Sequence, residues 1–124
     1  MFKIKHFLDT PEADDGQRIW VESIGLTLDL REMCKVDHVL SHLGPPGELA
    51  KWFEEHTQAY EYFRGRYHEA LAKSPHLHVL IDLTAAARRN DFTLLHQGDD
   101  AEHNSATALY EFLAALEAYC PPEA

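Results

Sequence analysis

The sequence is poor in the features that mark export, a membrane or a nucleic-acid partner. Two cysteines occur, Cys34 and Cys120, and no Cys-x-x-Cys pair exists, which removes zinc knuckles and thioredoxin-type dithiols. Basic residues number 11 against 21 acidic ones, for a formal charge of −10 at pH 7. Phosphate neutralisation demands clustered Lys and Arg, and the runs "FKIKH" and "ARRN" are too short to build such a groove. No nucleic-acid partner is expected, and the same charge argues against an anionic membrane surface. No stretch approaches the roughly 20 apolar residues of a membrane span. The opening "MFKIKHFLDT" sets charges among its apolar positions, unlike the apolar core of a signal peptide. A cytoplasmic, acidic protein is the expectation.

What is present is an ordinary globular composition. A chain of 124 residues with 45% hydrophobic and 26% charged residues can bury one core and is too short for two. One domain over residues 1–118 is expected, with a short tail, 119–124, containing "CPPEA". Protonating the nine histidines would cancel most of the negative charge, so solubility should fall on mild acidification.

Periodicity supplies the elements. Phe2, Ile4, His6 and Leu8 alternate with polar residues, and "RIWVESIGL" (18–26) is rich in β-branched and aromatic residues. A turn-rich loop, "DTPEADDG", separates these two strands. A short helix is expected around 31–42, ended by Pro45-Pro46-Gly47. Leu49, Trp52 and Phe53 share one helical face, and Tyr60, Phe63, Tyr67 and Leu71 continue at spacings of three and four. Ser74-Pro75 signals a new helix carrying Leu80, Leu83 and Ala87 inward and ending near Asn90. "FTLLH" (92–96) reads as a buried strand, and Ala106, Leu109, Leu113 and Leu116 mark a final helix over about 101–118. The order predicts an α/β fold with a small, mostly parallel sheet flanked by helices. Ligands of such sheets bind at the carboxyl ends of the strands. The stretch "HQGDDAEHN" (96–104) falls at such an end.

Several segments together resemble the YeaO-like family (domain of unknown function 488): Asp9, "DGQRIWV" (15–21), Pro45, Glu48, Leu49, "KWF" (51–53), "FRGRY" (63–67) and "TLLHQGDDAEHNSA" (93–106). The resemblance spans nearly the whole chain. Its departures are informative. The family's "VDRLWPRG" is replaced by "VESIGLTL" (21–28), so two family arginines fall on Ser23 and Thr27 and the tryptophan on Gly25. Two further family arginines fall on Ala50 and Asp99, and the family tyrosine falls on His96. Asp100, His103 and Asn104 are retained. The resemblance implies the fold and the place of the site but no reaction. An anion site built from those arginines would be lost or altered in this chain.

Three chemistries compete for residues 96–104. His96, Asp99 and His103 could hold a divalent metal, since imidazole and carboxylate suit zinc and its first-row neighbours. Their spacing matches no established motif such as His-Glu-x-x-His. His96 could instead act as a general acid oriented by Asp100, kept protonated by the acids around it. The plainest alternative is that Asp99 or Asp100 caps the final helix, with Glu102 set against its dipole. Elsewhere, His76 and His78 diverge too far on a helix to share a ligand, whereas His38 and His42 have i,i+4 spacing beside Asp37 and could chelate on a helix. Trp52 and Phe53 read as core anchors. Arg18 and Arg64 could pair with acids or hold an anion, and Arg18 opens a strand.

The favoured function is binding of a small-molecule ligand in the strand-end cleft without catalysis, using Arg18, His96, Asp100, His103 and Asn104. The alternatives are a metal-dependent or general acid/base enzyme at 96–104, with a divalent metal as cofactor, and an interaction module that forms a homo-oligomer.

Overall fold

Four short parallel strands carry the fold in a computed structural model that describes residues 1–119. They are β1 (Phe2–His6), β2 (Gln17–Trp20), β3 (His38–Val39) and β4 (Phe92–His96), in the spatial order β1-β4-β2-β3. All pairings are parallel. Five helices connect or cover them: α1 (Leu28–Met33), α2 (Gly47–Glu55), α3 (Tyr60–Ala72), α4 (Leu77–Ala86) and α5 (Ser105–Tyr119). This is the single α/β domain expected from the sequence. None of the described helices is long and apolar enough to cross a membrane.

β4 is buried at every position because strands flank it on both edges and elements cover both faces. That explains its continuous apolar run, since a parallel strand buried on both faces has no reason to alternate. Side-chain alternation then divides the interior in two. Ile19 and Leu94 join Phe63, Tyr67, Leu80, Leu109 and Leu113 in the larger core. Trp20 and Leu95 join Cys34 and Val36 on the opposite side, with Phe7, Leu26 and Val39 packed around them. Cys34 is buried with a free thiol.

The amino end of the sheet holds a buried ion cluster. Asp15 is fully buried and receives Arg18 Nη1 at 2.8 Å, with Lys5 Nζ at 3.1 Å from its other oxygen. Gly16 follows at φ +64°, where an added Cβ would lie 1.9 Å from the Asp91 carbonyl oxygen. Only glycine fits that turn.

The segment after β2 departs from the sequence reading. Instead of a helix over 31–42, the short α1 is capped by Thr27, whose Oγ1 accepts the Leu30 N–H at 3.3 Å, and it ends at Cys34. Lys35 then takes a left-handed conformation at φ 54°. Asp37 N–H and Leu40 N–H donate to Arg18 and Trp20 carbonyls, so β3 covers the free edge of β2. That long-range pairing outweighs the local helical spacing. His38 and His42 therefore share no helical face. The strand expected over 18–26 is confined to Gln17–Trp20, with Val21 adding one bond to Leu95. α4 begins at Leu77, just after Ser74-Pro75, and α5 begins at Ser105 rather than near 101. Tyr119 closes α5, and the remainder of the expected tail lies outside the described residues.

Candidate functional site

At the carboxyl ends of β2 and β4 lies a cleft of about 800 Å³. Its walls come from the segment after β2, the end of α2, and the 97–104 loop that enters α5. Among the described residues, four carboxylates line it, Glu22, Glu54, Asp99 and Asp100, and no Lys or Arg does. A smaller groove of about 400 Å³ runs between α2 and α3 beside Trp52, Tyr62 and Arg66, away from the strand ends.

Glu22 forms the buried part of the cleft wall. It is 5% exposed, and its carboxylate accepts the Gln97 backbone N–H at 2.9 Å. Burial pushes its pKa up, more strongly than the hydrogen bonds from Gln97 and the Ser105 hydroxyl pull it down, and nearby Glu54 adds to the rise. The local sequence places it there because β2 ends at Trp20 and the chain turns under the Ser41–Leu43 turn. An added Cβ at Gly44 would sit 2.6 Å from Ser23 N, so the two segments touch backbone to backbone.

The 97–104 loop is tied down by its own side chains. Asp100 Oδ1 accepts the N–H groups of Glu102 at 2.9 Å and His103 at 3.1 Å, and these bonds hold its pKa below the usual carboxylate value. His103 Nδ1 lies 3.3 Å from Asp100 Oδ2 and its ring rests 4.7 Å from that of Tyr60. Asn104 caps α5, its Oδ1 accepting the Thr107 N–H at 2.8 Å while its Nδ2 donates to the Asp100 carbonyl at 2.9 Å. The capping role expected of Asp99 or Asp100 is thus divided: Asp100 closes the turn and Asn104 starts the helix. Asp99 is exposed on the cleft rim.

His96 and Arg18 lie elsewhere. His96 is 3% exposed, and its ring meets that of His6 edge-on at 5.5 Å, because the two residues are register partners on β1 and β4. Its Nδ1 has no hydrogen-bond partner among the described residues. Nearby acids do not keep it protonated as the sequence suggests. Burial and His6 lower its pKa against the opposing pull of the Gly98 backbone, Asp9 and Asp100. His96 is absent from the cleft lining, so His96, Asp99 and His103 are not gathered around one point. Among the described residues, the acids whose ligand atoms do cluster are Glu12, Asp14 and Asp15. Those acids are already paired with Lys3, Lys5 and Arg18. Arg18 is 3% exposed, bonded to Asp15, and gives Nε and Nη2 to the Cys34 carbonyl at 3.1 and 2.9 Å. Its guanidinium closes the ion cluster and does not reach the cleft.

Asp100, His103 and Asn104 line the cleft. Glu22 is the residue that sequence reasoning missed. A signal existed: in "VESIGLTL" the acid of the family's "VDRLWPRG" persists at Glu22 while the flanking arginines vanish.

No curated protein and no solved structure gave a match. A family model described as the inactive DUF488-N3 subclade matches residues 1–119. With that match spanning almost its whole length, the chain belongs to the DUF488 family, within the subclade described as inactive.

Proposed function

We propose that this chain is a non-catalytic member of its family whose strand-end cleft binds a small, positively charged molecule such as an amine. One observation carries the reading: among the described residues, four carboxylates and no Lys or Arg line the cleft. One of those carboxylates is nearly buried, where a cation gains most because the screening by water is weakest. Loss of basic residues at Ser23, Thr27, Ala50 and Asp99 supports the same polarity. An anion entering this cleft would meet like charge and find no donor fork to hold it.

Absence of catalysis is supported by how the polar groups are engaged. Asp100 closes a turn and Asn104 caps a helix. His103 pairs with an exposed carboxylate, and His96 faces His6. The Ser105 hydroxyl meets the Glu22 carboxylate in the cleft, but among the described residues no histidine is hydrogen-bonded to either group to complete a nucleophile–base–orienter set. The description of the matched subclade as inactive agrees. Calorimetric titration with putrescine, arginine and inorganic phosphate tests the proposal. The amines should bind and phosphate should not, and Glu22→Gln should weaken the amines about tenfold, a loss of roughly 1.4 kcal/mol. Phosphate binding more tightly than either amine would overturn the reading.

A further inference from the structure

The histidines pair differently in space than in sequence. His42 belongs to the Ser41–Leu43 turn and His76 immediately precedes α4, yet their rings lie 4.7 Å apart at 68°. His76 is half-buried and His42 is exposed. Five of the other seven histidines commit a ring nitrogen to the protein: His6 to the Gln97 carbonyl, His38 to Gln17, His56 to the Trp52 carbonyl, His68 to the Ala108 carbonyl and His103 to Asp100. The rings of His42 and His76 take no hydrogen bond from the described residues.

Their backbones are well anchored. Leu43, beside His42, is fully buried and its carbonyl accepts the Tyr67 hydroxyl. Gly44 packs on the backbone of Glu22 and Ser23. The His76 N–H donates to Ser74 Oγ at 3.0 Å. Two uncommitted imidazoles are thus held side by side from segments 34 positions apart in sequence. Two metal–nitrogen bonds of about 2.0–2.1 Å need nitrogens roughly 3–4 Å apart. Rings at this separation can present them by side-chain rotation alone.

We propose that His42 and His76 form a bidentate site for a first-row divalent cation such as zinc, nickel or copper, with water completing the coordination. Imidazole nitrogen selects this group over magnesium or calcium, which prefer oxygen. Among the described residues no third side-chain ligand joins the pair, so the site is open on its solvent side.

The test is calorimetric titration of the full chain, freed of metal by chelator, with zinc chloride. One site per chain is expected. His42→Ala and His76→Ala should each weaken zinc by about 100-fold or more, because even outer-shell partners of a metal site are worth 10–100-fold. The double variant should bind zinc more weakly than either single one, and His78→Ala and His103→Ala should leave the affinity unchanged. Copper(II) bound to the unaltered chain should show two nitrogen couplings in its electron paramagnetic resonance spectrum, a readout that does not depend on any variant folding. Unchanged zinc affinity in both single variants, or copper with fewer than two nitrogens, would overturn the proposal. So would a zinc site lost instead with His103→Ala, which would move the metal to the strand-end loop.

Discussion

Two acids, one before β2 and one after it, are both buried and have opposite consequences. Asp15, at the amino end, is fully buried among Arg18, Lys5 and Lys3. Burial alone would raise its pKa, but the Glu12 backbone and the contacts with Lys5 and Arg18 outweigh it and hold the pKa low. Glu22, at the carboxyl end, is nearly as buried and faces Glu54 with no cation, and its pKa rises. A buried charge that is paired holds a structure together, and one left unpaired costs stability. The amino end of this sheet is therefore a structural fastening, whereas the carboxyl end keeps a cost that a ligand could relieve. Proteins retain such unfavourable groups mainly where they bind or react.

The comparison can be broken most sharply at Asp15. Replacing it with Asn leaves Arg18 buried without its counter-charge, and the expected loss is roughly 3–5 kcal/mol in urea unfolding at pH 7. A loss below about 1 kcal/mol would show that the cluster is not a fastening. At the other end, Glu22→Gln should act in the opposite direction and stabilise by about 0.5–2 kcal/mol at pH 7 while weakening amine binding. Destabilisation in the same urea series would end the contrast between the two acids. An intermediate effect is expected at the helix entry. Asn104→Ala removes the cap of α5 and should cost about 1 kcal/mol, which differential scanning calorimetry can resolve.

Acidity sharpens the contrast further. Asp15 has a lowered pKa, so its stabilising contribution is present above the ordinary value of 3.8 and is lost as pH falls through the folded-state pKa. Glu22 has a raised pKa, so it favours folding while protonated and becomes a cost as pH rises from 4.5 through its folded-state value. Subtracting the pH–stability curve of Glu22→Gln from that of the unaltered chain should leave a decline across that window. His96 adds the smallest term. Its lowered pKa makes the unfolded chain bind more protons below 6.5, so stability should rise with pH up to that point and then level off. His96→Gln should flatten this slope, and an unchanged slope between pH 5 and 6.5 would mean that the imidazole is not held neutral by the fold.

Legibility in the sequence followed the range of the interactions. β1 and β4 match the segments read from alternation and from the apolar run, and the helices α2 and α3 follow the spacing of Leu49, Trp52, Tyr60, Phe63, Tyr67 and Leu71. These signals are local, because each apolar face is written along one element. β3 was missed because a two-residue edge strand has no periodicity of its own and exists only through its bonds to β2. Arg18 was read as a ligand contact because a strand arginine looks free until Asp15 and the Cys34 carbonyl are placed against it. Glu22 was passed over for the reverse reason: the loss of its neighbouring arginines is visible in the sequence, but the burial of its carboxylate is not.

The sequence by itself determined the family, the α/β class and the strand-end loop as the place to look, since periodicity and motif order are properties of the chain read in one dimension. The tertiary structure alone decided which charges are paired and which histidines meet. Asp15 acquires its cations and Glu22 its isolation only when segments from different parts of the chain close around them. The pairing of His42 with His76 likewise depends on a turn and a helix entry brought together from a distance. Charge pairing and burial are set by distances in space, and spacing along the chain does not fix those distances.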